Sequence, residues 1–413
     1  MKIMVYSHDA FGLGNIRRML AICEHLLQSI PSLSILVVSG SPALHSLRLP
    51  PGLDYIKLPC IGRNQAGDLS VRYLNTDMND IVKLRSDLIL AATENFQPDL
   101  LLVDKKPDGI ESELKATLDY LQNCLPSTKL VLLLRDILDR PSSTIYQWQR
   151  HRYYDLIDRL YDQVWVVGTS EIFDVSQEYC FPMSVQEKVK FCGYIYRKPG
   201  LKARSKLRQE LHIQPHESLV LVTPGGGEDG YRLVETYLAG LGDRPLAPSV
   251  KSLIITGSEM PEFERSQLAA QASAYPHVQF LEFTDDMLSY MAAADVVVAM
   301  GGYNTVGEIL STRKRAIVVP RIKPAEEQLI RAERMATLDL FKMIHPNELT
   351  PSGLMAAVQT ELDNPQTSPI PQIDLCGLDR IASYTRSLLP LRPNVVSLNP
   401  HPMNSPCLIP TAL

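Results

Sequence analysis

The chain has 413 residues, is 45% hydrophobic and 21% charged, and carries a net charge of −5 at pH 7. That length exceeds what one hydrophobic core organises, so two domains are expected, and the ordinary composition excludes bulk disorder. The mild acidity, with basic residues scattered along the chain, excludes a nucleic-acid partner.

Seven cysteines (Cys23, Cys60, Cys124, Cys180, Cys192, Cys376 and Cys407) are odd in number and lack CxxC spacing. Neither a zinc site nor a disulfide framework is indicated. The N-terminus runs straight into an apolar strand and carries Asp9 where a signal peptide is still apolar. No apolar run reaches the ~18 residues of a spanning helix. A cytosolic protein is expected, with contact at the inner membrane surface left open.

From the start, short apolar runs alternate with longer amphipathic stretches: KIMVYS, Ile16 to Ser29, SILVVSG, Asp77 to Asn95, DLLLVD, Glu111 to Leu121, KLVLLLRD and QVWVVG. This is the pattern of a parallel sheet with crossover helices, its strands covered on both faces. The first run ends in SHDAFGLGNIRR, where Gly12 and Gly14 precede a helix. Arg17 stands where a dinucleotide fingerprint has its third glycine, so NAD binding is poorly supported. The segment instead reads as a loop lining the cleft, with His8 and Asp9 as its titratable groups. Strand ends add Asp104, Lys105 and Lys106, then Arg135, Asp136 and Asp139. Asp139, before Arg140-Pro141, reads as a cap of the next helix or half of a surface pair. Arg135 and Asp136 follow a buried strand directly and face the cleft. Gly168 to Glu171 has the form of a helix N-cap.

The stretch Val189 to Lys206 mixes glycine, proline and basic residues and reads as the interdomain linker. It separates a first domain over 1–195 from a second over 196–370, with a proline-rich helix and tail over 371–413.

The second half repeats the alternation and contains two glycine-centred turns, TPGGGEDG at Thr223 to Gly230 and AMGGYNTVGE at Ala299 to Glu308. Glycine at such a turn is often only the residue that tolerates the bend. Two strand-to-helix turns in one domain, with Asn304, Thr305 and Glu308 beside the second, point instead to a diphosphate clamp. In EFTDDM, Asp285 or Asp286 reads first as a helix cap; the functional alternative is that the loop backbone at Phe283 and Thr284 meets a nucleobase edge. Glu326, Glu327 and Gln328 open another helix at a strand end on the same crevice. There a carboxylate and an amide can bind sugar hydroxyls. Two doubly wound α/β lobes facing across a cleft are expected.

The block from FTDDMLSYMAAADVVVAMGGYNTVGEIL to KPAEEQLIRAERM resembles the C-terminal domain of family 28 glycosyltransferases, whose best-known member adds N-acetylglucosamine to the lipid-linked peptidoglycan precursor. The glycine turn at Gly225 to Gly227 and the FGLGNIRR loop agree with it. More narrowly, the chain looks like bacterial proteins described as predicted glycosyltransferases. The resemblance implies a GT-B fold of two Rossmann-like domains and inverting transfer from a nucleoside-diphosphate sugar, UDP-linked, without metal or other cofactor. By motif position, Gly225, Gly226, Gly227, Gly301, Gly302, Asn304 and Thr305 would surround the diphosphate. Glu308 would take the ribose hydroxyls, Glu327 and Gln328 the sugar, and Phe283 and Thr284 would border the base. Gly12, Gly14, Arg17 and Arg135 would line the acceptor side, where the acceptor is unknown, lipid-linked or a small molecule.

The family usually has histidine after the first glycine loop, and here Asn15 stands in its place. An amide is not a base at neutral pH. Asp9, Asp136 and His8, in that order, are the candidates to take the acceptor proton. The alternatives are a GT-B sugar-nucleotide 2-epimerase and a nucleotide-sugar-binding protein that has lost turnover.

Overall fold

The computed structural model describes residues 1–7, 14–42, 49–63, 68–364 and 373–389. The first lobe holds a seven-stranded parallel sheet of β1 (Lys2–Ser7), β2 (Ser34–Ser39), β3 (Leu53–Lys57), β6 (Leu100–Asp104), β7 (Lys129–Arg135), β8 (Gln163–Val167) and β9 (Val189–Phe191). Their order across the sheet is β3-β2-β1-β6-β7-β8-β9, and β4 (Ile61–Arg63) pairs with β5 (Leu69–Val71) as a separate antiparallel hairpin. The second lobe holds β10 (Ser218–Thr223), β11 (Val250–Ile255), β12 (Val278–Leu281), β13 (Val296–Ala299), β14 (Arg315–Val318) and β15 (Lys342–Met343), in the order β12-β11-β10-β13-β14-β15.

Each order reverses direction beside its first strand, next to β6 in one lobe and next to β13 in the other. In an open α/β sheet that reversal leaves a crevice at the carboxyl ends of the two strands. The strands read as near-continuous apolar runs because both faces are covered: all five residues of β6 are buried. In the second sheet the faces divide by alternation. Leu219, Leu221, Val297, Ala299 and Val318 join the apolar cluster that also contains the first lobe's core. Val220, Val222, Val296, Val298 and Ile317 pack in a separate cluster with residues of helices Tyr231–Asp243 and Pro351–Asp363.

The linker is shorter than the composition implies, because Val189–Phe191 pairs with β8 as the last strand of the first sheet. The helix cap expected at Gly168 to Glu171 is a turn, with the Ile172 N–H on the Thr169 carbonyl. Asp174 caps the short helix that follows. The helix Gly377–Leu388 returns from the second lobe to the first: Arg380 donates to the Cys192 carbonyl, and His25 lies 3.2 Å from Asp379.

Candidate functional site

The two glycine turns leave β10 and β13, the adjacent strands at the reversal point of the second sheet. Gly225 and Gly227 have φ of +84° and +98°, the left-handed region that glycine enters at little cost. A Cβ on Gly227 would lie 2.2 Å from the Thr256 carbonyl oxygen, so the loop has no room for a side chain there. A Cβ on Gly225 would sit 3.2 Å from Thr305 Oγ1, which brings the two turns into contact as one site. The helices Tyr231–Asp243 and Tyr303–Thr312 both start from glycine caps, Gly230 and Gly302, with no capping side chain. Their first-turn N–H groups thus lack the usual side-chain acceptor, an arrangement suited to an anion.

Polar groups surround the second turn. Arg197, in the linker, donates from Nη2 to Asn304 Oδ1 at 2.7 Å, and its Nε is buried without a partner. Burial pushes the Arg197 pKa down, while Tyr303 and Glu308 oppose that shift. The Glu308 carboxyl is pushed above the ordinary range, mainly by burial, with Arg197 and Arg17 opposing. Arg17, in the first turn of the helix Gly14–Ser29, lies over the exposed Phe283 ring at 6.0 Å and bridges the lobes at that end of the cleft. Thr284 Oγ1 accepts from the Asp286 N–H, and Asp286 caps the helix Met287–Ala293. Of the two cap candidates, Asp286 is the one used.

Behind the second turn the lobes are bolted together. Asp136, 1% exposed, receives Arg331 Nε and Nη2, each at 2.7 Å, and the Tyr194 hydroxyl at 2.9 Å. Arg331 also donates to the Gly301 carbonyl at 2.9 Å. Tyr303 stacks on Tyr194, sits 5.7 Å from each of the Arg18 and Arg331 guanidinium carbons, and donates from its hydroxyl to the Val167 carbonyl. A Cβ on Gly168 would fall 2.6 Å from Asp136 Cβ, so glycine there makes room for the pair. Asp136 was a candidate base, but both of its oxygens are engaged by donors in a fully buried ion pair. That geometry makes it a fastening between the lobes. Asp139 likewise differs from expectation: its Oδ1 accepts from the adjacent Arg140 N–H at 2.8 Å without capping the helix Pro141–Arg150, and from the Glu326 N–H of the second lobe at 2.9 Å.

At the carboxyl ends of β6 and β7, Lys105 and Arg135 face the second lobe's Glu327. Arg135 Nη1 is 4.0 Å from Glu327 Oε1, which also lies 3.4 Å from Arg321 Nη2. Glu327 Oε2 and Arg135 Nε are buried without partners. Gln328 Oε1 accepts from the Arg321 N–H at 3.3 Å, and its Nε2 lies 4.0 Å from a Cβ built on Gly302. Gln328 thus borders the clamp, with Glu327 beside it.

The structure therefore brings together Gly225, Gly226, Gly227, Gly301, Gly302, Asn304, Thr305, Glu308, Glu327 and Gln328 around the second lobe's crevice. Arg17 and Phe283 close one side. Asn15 lies in the first turn of the helix that starts at Gly14, whereas His8, Asp9 and Gly12 lie outside the described residues. Arg197, Tyr303, Arg321 and Arg331 were not foreseen as site residues. The basic character of the linker was the one available signal, and it marked Arg197.

Residues 219–373 match the glycosyltransferase family 28 C-terminal domain. An uncharacterised glycosyltransferase of Methanopyrus kandleri is 26% identical over 235 residues, 57% of this chain and 63% of that protein. The UDP-N-acetylglucosamine--N-acetylmuramyl-(pentapeptide) pyrophosphoryl-undecaprenol N-acetylglucosamine transferase of Corynebacterium efficiens is 28% identical over 40% of this chain and 43% of its own length. The chain thus matches less than two thirds of either relative's length. Among solved structures, the glycotransferase of kitacinnamycin superposes with a TM-score of 0.62 at 16% identity, over 94% of this chain and 99% of that one. The second lobe thus carries a glycosyltransferase family 28 C-terminal domain, and the two doubly wound lobes with glycine turns at the second reversal point have the GT-B fold.

Proposed function

We propose that the protein transfers a hexose or N-acetylhexosamine from a UDP-linked donor to an acceptor hydroxyl, inverting the anomeric centre without a metal or other cofactor. The observation that carries this reading is the contact between two uncapped glycine turns at one reversal point, Gly225 against Thr305. The diphosphate lies on the first-turn N–H groups of the two helices, with the Arg197 guanidinium beside Asn304. These donors stabilise the charge that develops on the leaving group, and being built into the fold they need no reorganisation. Glu308 accepts from the ribose hydroxyls, Phe283 and Thr284 border the base, and Glu327 and Gln328 hold the sugar.

The proton of the acceptor hydroxyl goes to Asp9, with His8 beside it in sequence, since the Asp136 carboxylate is committed to Arg331. Asn15 orients the hydroxyl. The relative from Corynebacterium is named for a lipid-linked acceptor, which supports an acceptor presented at a membrane surface. No helix among the described residues is long and apolar enough to cross a membrane.

The test has two stages. UDP should raise the Tm of the full chain, and Glu308→Ala should remove the shift; no response to any nucleoside diphosphate would end the reading. Release of UDP from UDP-N-acetylglucosamine only when an acceptor is present marks a transferase, and loss of that release in Asp9→Ala assigns the base. Inversion at C2 of the sugar without acceptor marks an epimerase, and UDP binding with no turnover marks a binding protein.

A further inference from the structure

The charged groups between the lobes do not balance evenly. Arg331 and Asp136 form a closed pair, with every guanidinium nitrogen hydrogen-bonded. Arg18 and Asp104 pair at 2.6 Å. Arg321 is shared between Asp229 and Glu327, each at 3.4 Å. That leaves Lys105 and Arg135, on neighbouring strand ends of the first lobe, with one carboxylate between them: Glu327, already engaged by Arg321 and 4.0 Å from Arg135. Among the described residues the Lys105 ammonium forms no ion pair, and Arg135 Nε has no acceptor.

Two half-buried cations side by side with a single shared carboxylate are costly to keep, because burial disfavours the charged form and each repels the other. Their pKa values show both effects. Lys105 is pulled down to about 8, first by burial and then by Arg135, with Asp104 opposing. Arg135 is also lowered, by burial foremost. The backbone enforces the placement. Lys105 sits at φ +72° with its N–H on the Leu133 carbonyl of β7, which locks its turn against the strand that ends in Arg135. A non-glycine residue held in that region, its charge without an ion pair among the described residues, marks a position kept for a ligand more than for stability.

We infer that Lys105 and Arg135 form a binding site for an anionic group, a carboxylate or a phosphate, on the acceptor, beside the hydroxyl that attacks the donor sugar. The inference rests on the proposed transferase reading for the word acceptor. The anion site itself does not depend on that reading. The donor's own diphosphate has its clamp in the second lobe, whereas these cations project from the first. Arg135 contributes a planar fork suited to either oxyanion, and Lys105 a point charge.

The experiment uses the full chain, saturated with UDP, and titrates inorganic phosphate in one arm and acetate in another, reading Tm and calorimetric affinity. Wild type should bind one of the two. Arg135→Gln and Lys105→Met should each weaken that binding about tenfold or more, as loss of one charge-assisted contact predicts, while leaving the UDP shift unchanged. Because each variant removes an uncompensated cation, its own Tm without anion should equal or exceed wild type. A fall in Tm would mean that the pair is structural and would overturn the proposal. So would equal anion binding by wild type and both variants, or no binding of either anion. Competition between phosphate and UDP would assign the cations to the donor diphosphate and equally overturn it. If UDP itself fails to bind, the titrations on the unliganded chain still decide the anion site, so the two failures remain distinct.

Discussion

The two lobes share one sheet topology yet equip their reversal points differently. The second lobe uses backbone: glycines at φ +84° and +98°, and two helices without side-chain caps at their N-termini. The first uses ionic side chains: Asp104 with Arg18, Asp136 with Arg331, and Lys105 with Arg135. Backbone dipoles suit a ligand part that never varies, since they depend on no side chain. Side-chain charges suit the half of a reaction in which specificity has to be set. The Asp136–Arg331 pair joins the two strategies, because Arg331 holds the Gly301 carbonyl of the second glycine turn while bonding the first lobe.

The largest effect should come from breaking that junction. Asp136→Ala strands a buried guanidinium and should cost about 3–5 kcal/mol, whereas Asp136→Leu combined with Arg331→Met should recover most of it. Denaturant unfolding of Asp136→Leu, Arg331→Met and the double variant measures the coupling, and additive costs would show that the lobes are not joined there. Next comes the clamp. Gly227→Ala sets a Cβ against the Thr256 carbonyl at a positive φ, and backbone strain of about 1–3 kcal/mol is expected together with loss of the UDP-induced Tm shift. A variant that binds UDP normally would mean that the loop's shape does not serve the diphosphate.

Smaller effects test the titrating groups. Burial holds the Glu308 pKa above the ordinary carboxyl value, so UDP affinity should decline on acidification before an unperturbed glutamate would protonate. Glu308→Gln should flatten that profile in calorimetric titrations. The smallest concerns Lys105, faced by Arg135, Lys106, Asp104 and Glu327. Its folded pKa of about 8 lies below its unfolded value, so the folded state releases the proton first as pH rises. The penalty it imposes is therefore complete below about pH 8 and fades toward the unfolded value near 10.4. The Tm advantage of Lys105→Met should shrink over that window, and an advantage that stays constant would mean the amine is not the source.

Much of this was legible in the sequence, for physical reasons that differ by element. Apolar runs such as LVLVT and VVVA announce buried parallel strands, and a glycine cluster at a strand end announces a tight turn whatever lies around it. Short elements were not legible. Val189–Phe191 is three residues long, too few to show a period, and was absorbed into the linker. The helix expected from Glu111 begins at Lys115, because a 3-10 turn at Ile110–Ser112 precedes it. Nor does one sequence reveal pairings: Asp136 and Arg331 are 195 positions apart, so the buried partner that turns a candidate base into a fastening is invisible until the chain is folded. Asp139 could be seen as a cap, but the helix it serves lies in the other lobe.

The returning helix Gly377–Leu388 has a consequence for how the molecule is made. It lies on the first lobe, against the helix Gly14–Ser29, with Arg386 reaching the Ser29 carbonyl and Tyr384 the Phe191 carbonyl. On the ribosome, domains fold as units with the N-terminal one first. Here the lobe that emerges first lacks its covering helix until the whole second lobe has been translated. The lobe begun first is thus the last to be finished, and a nascent chain halted before Asp374 would present the outer face of its opening helix bare.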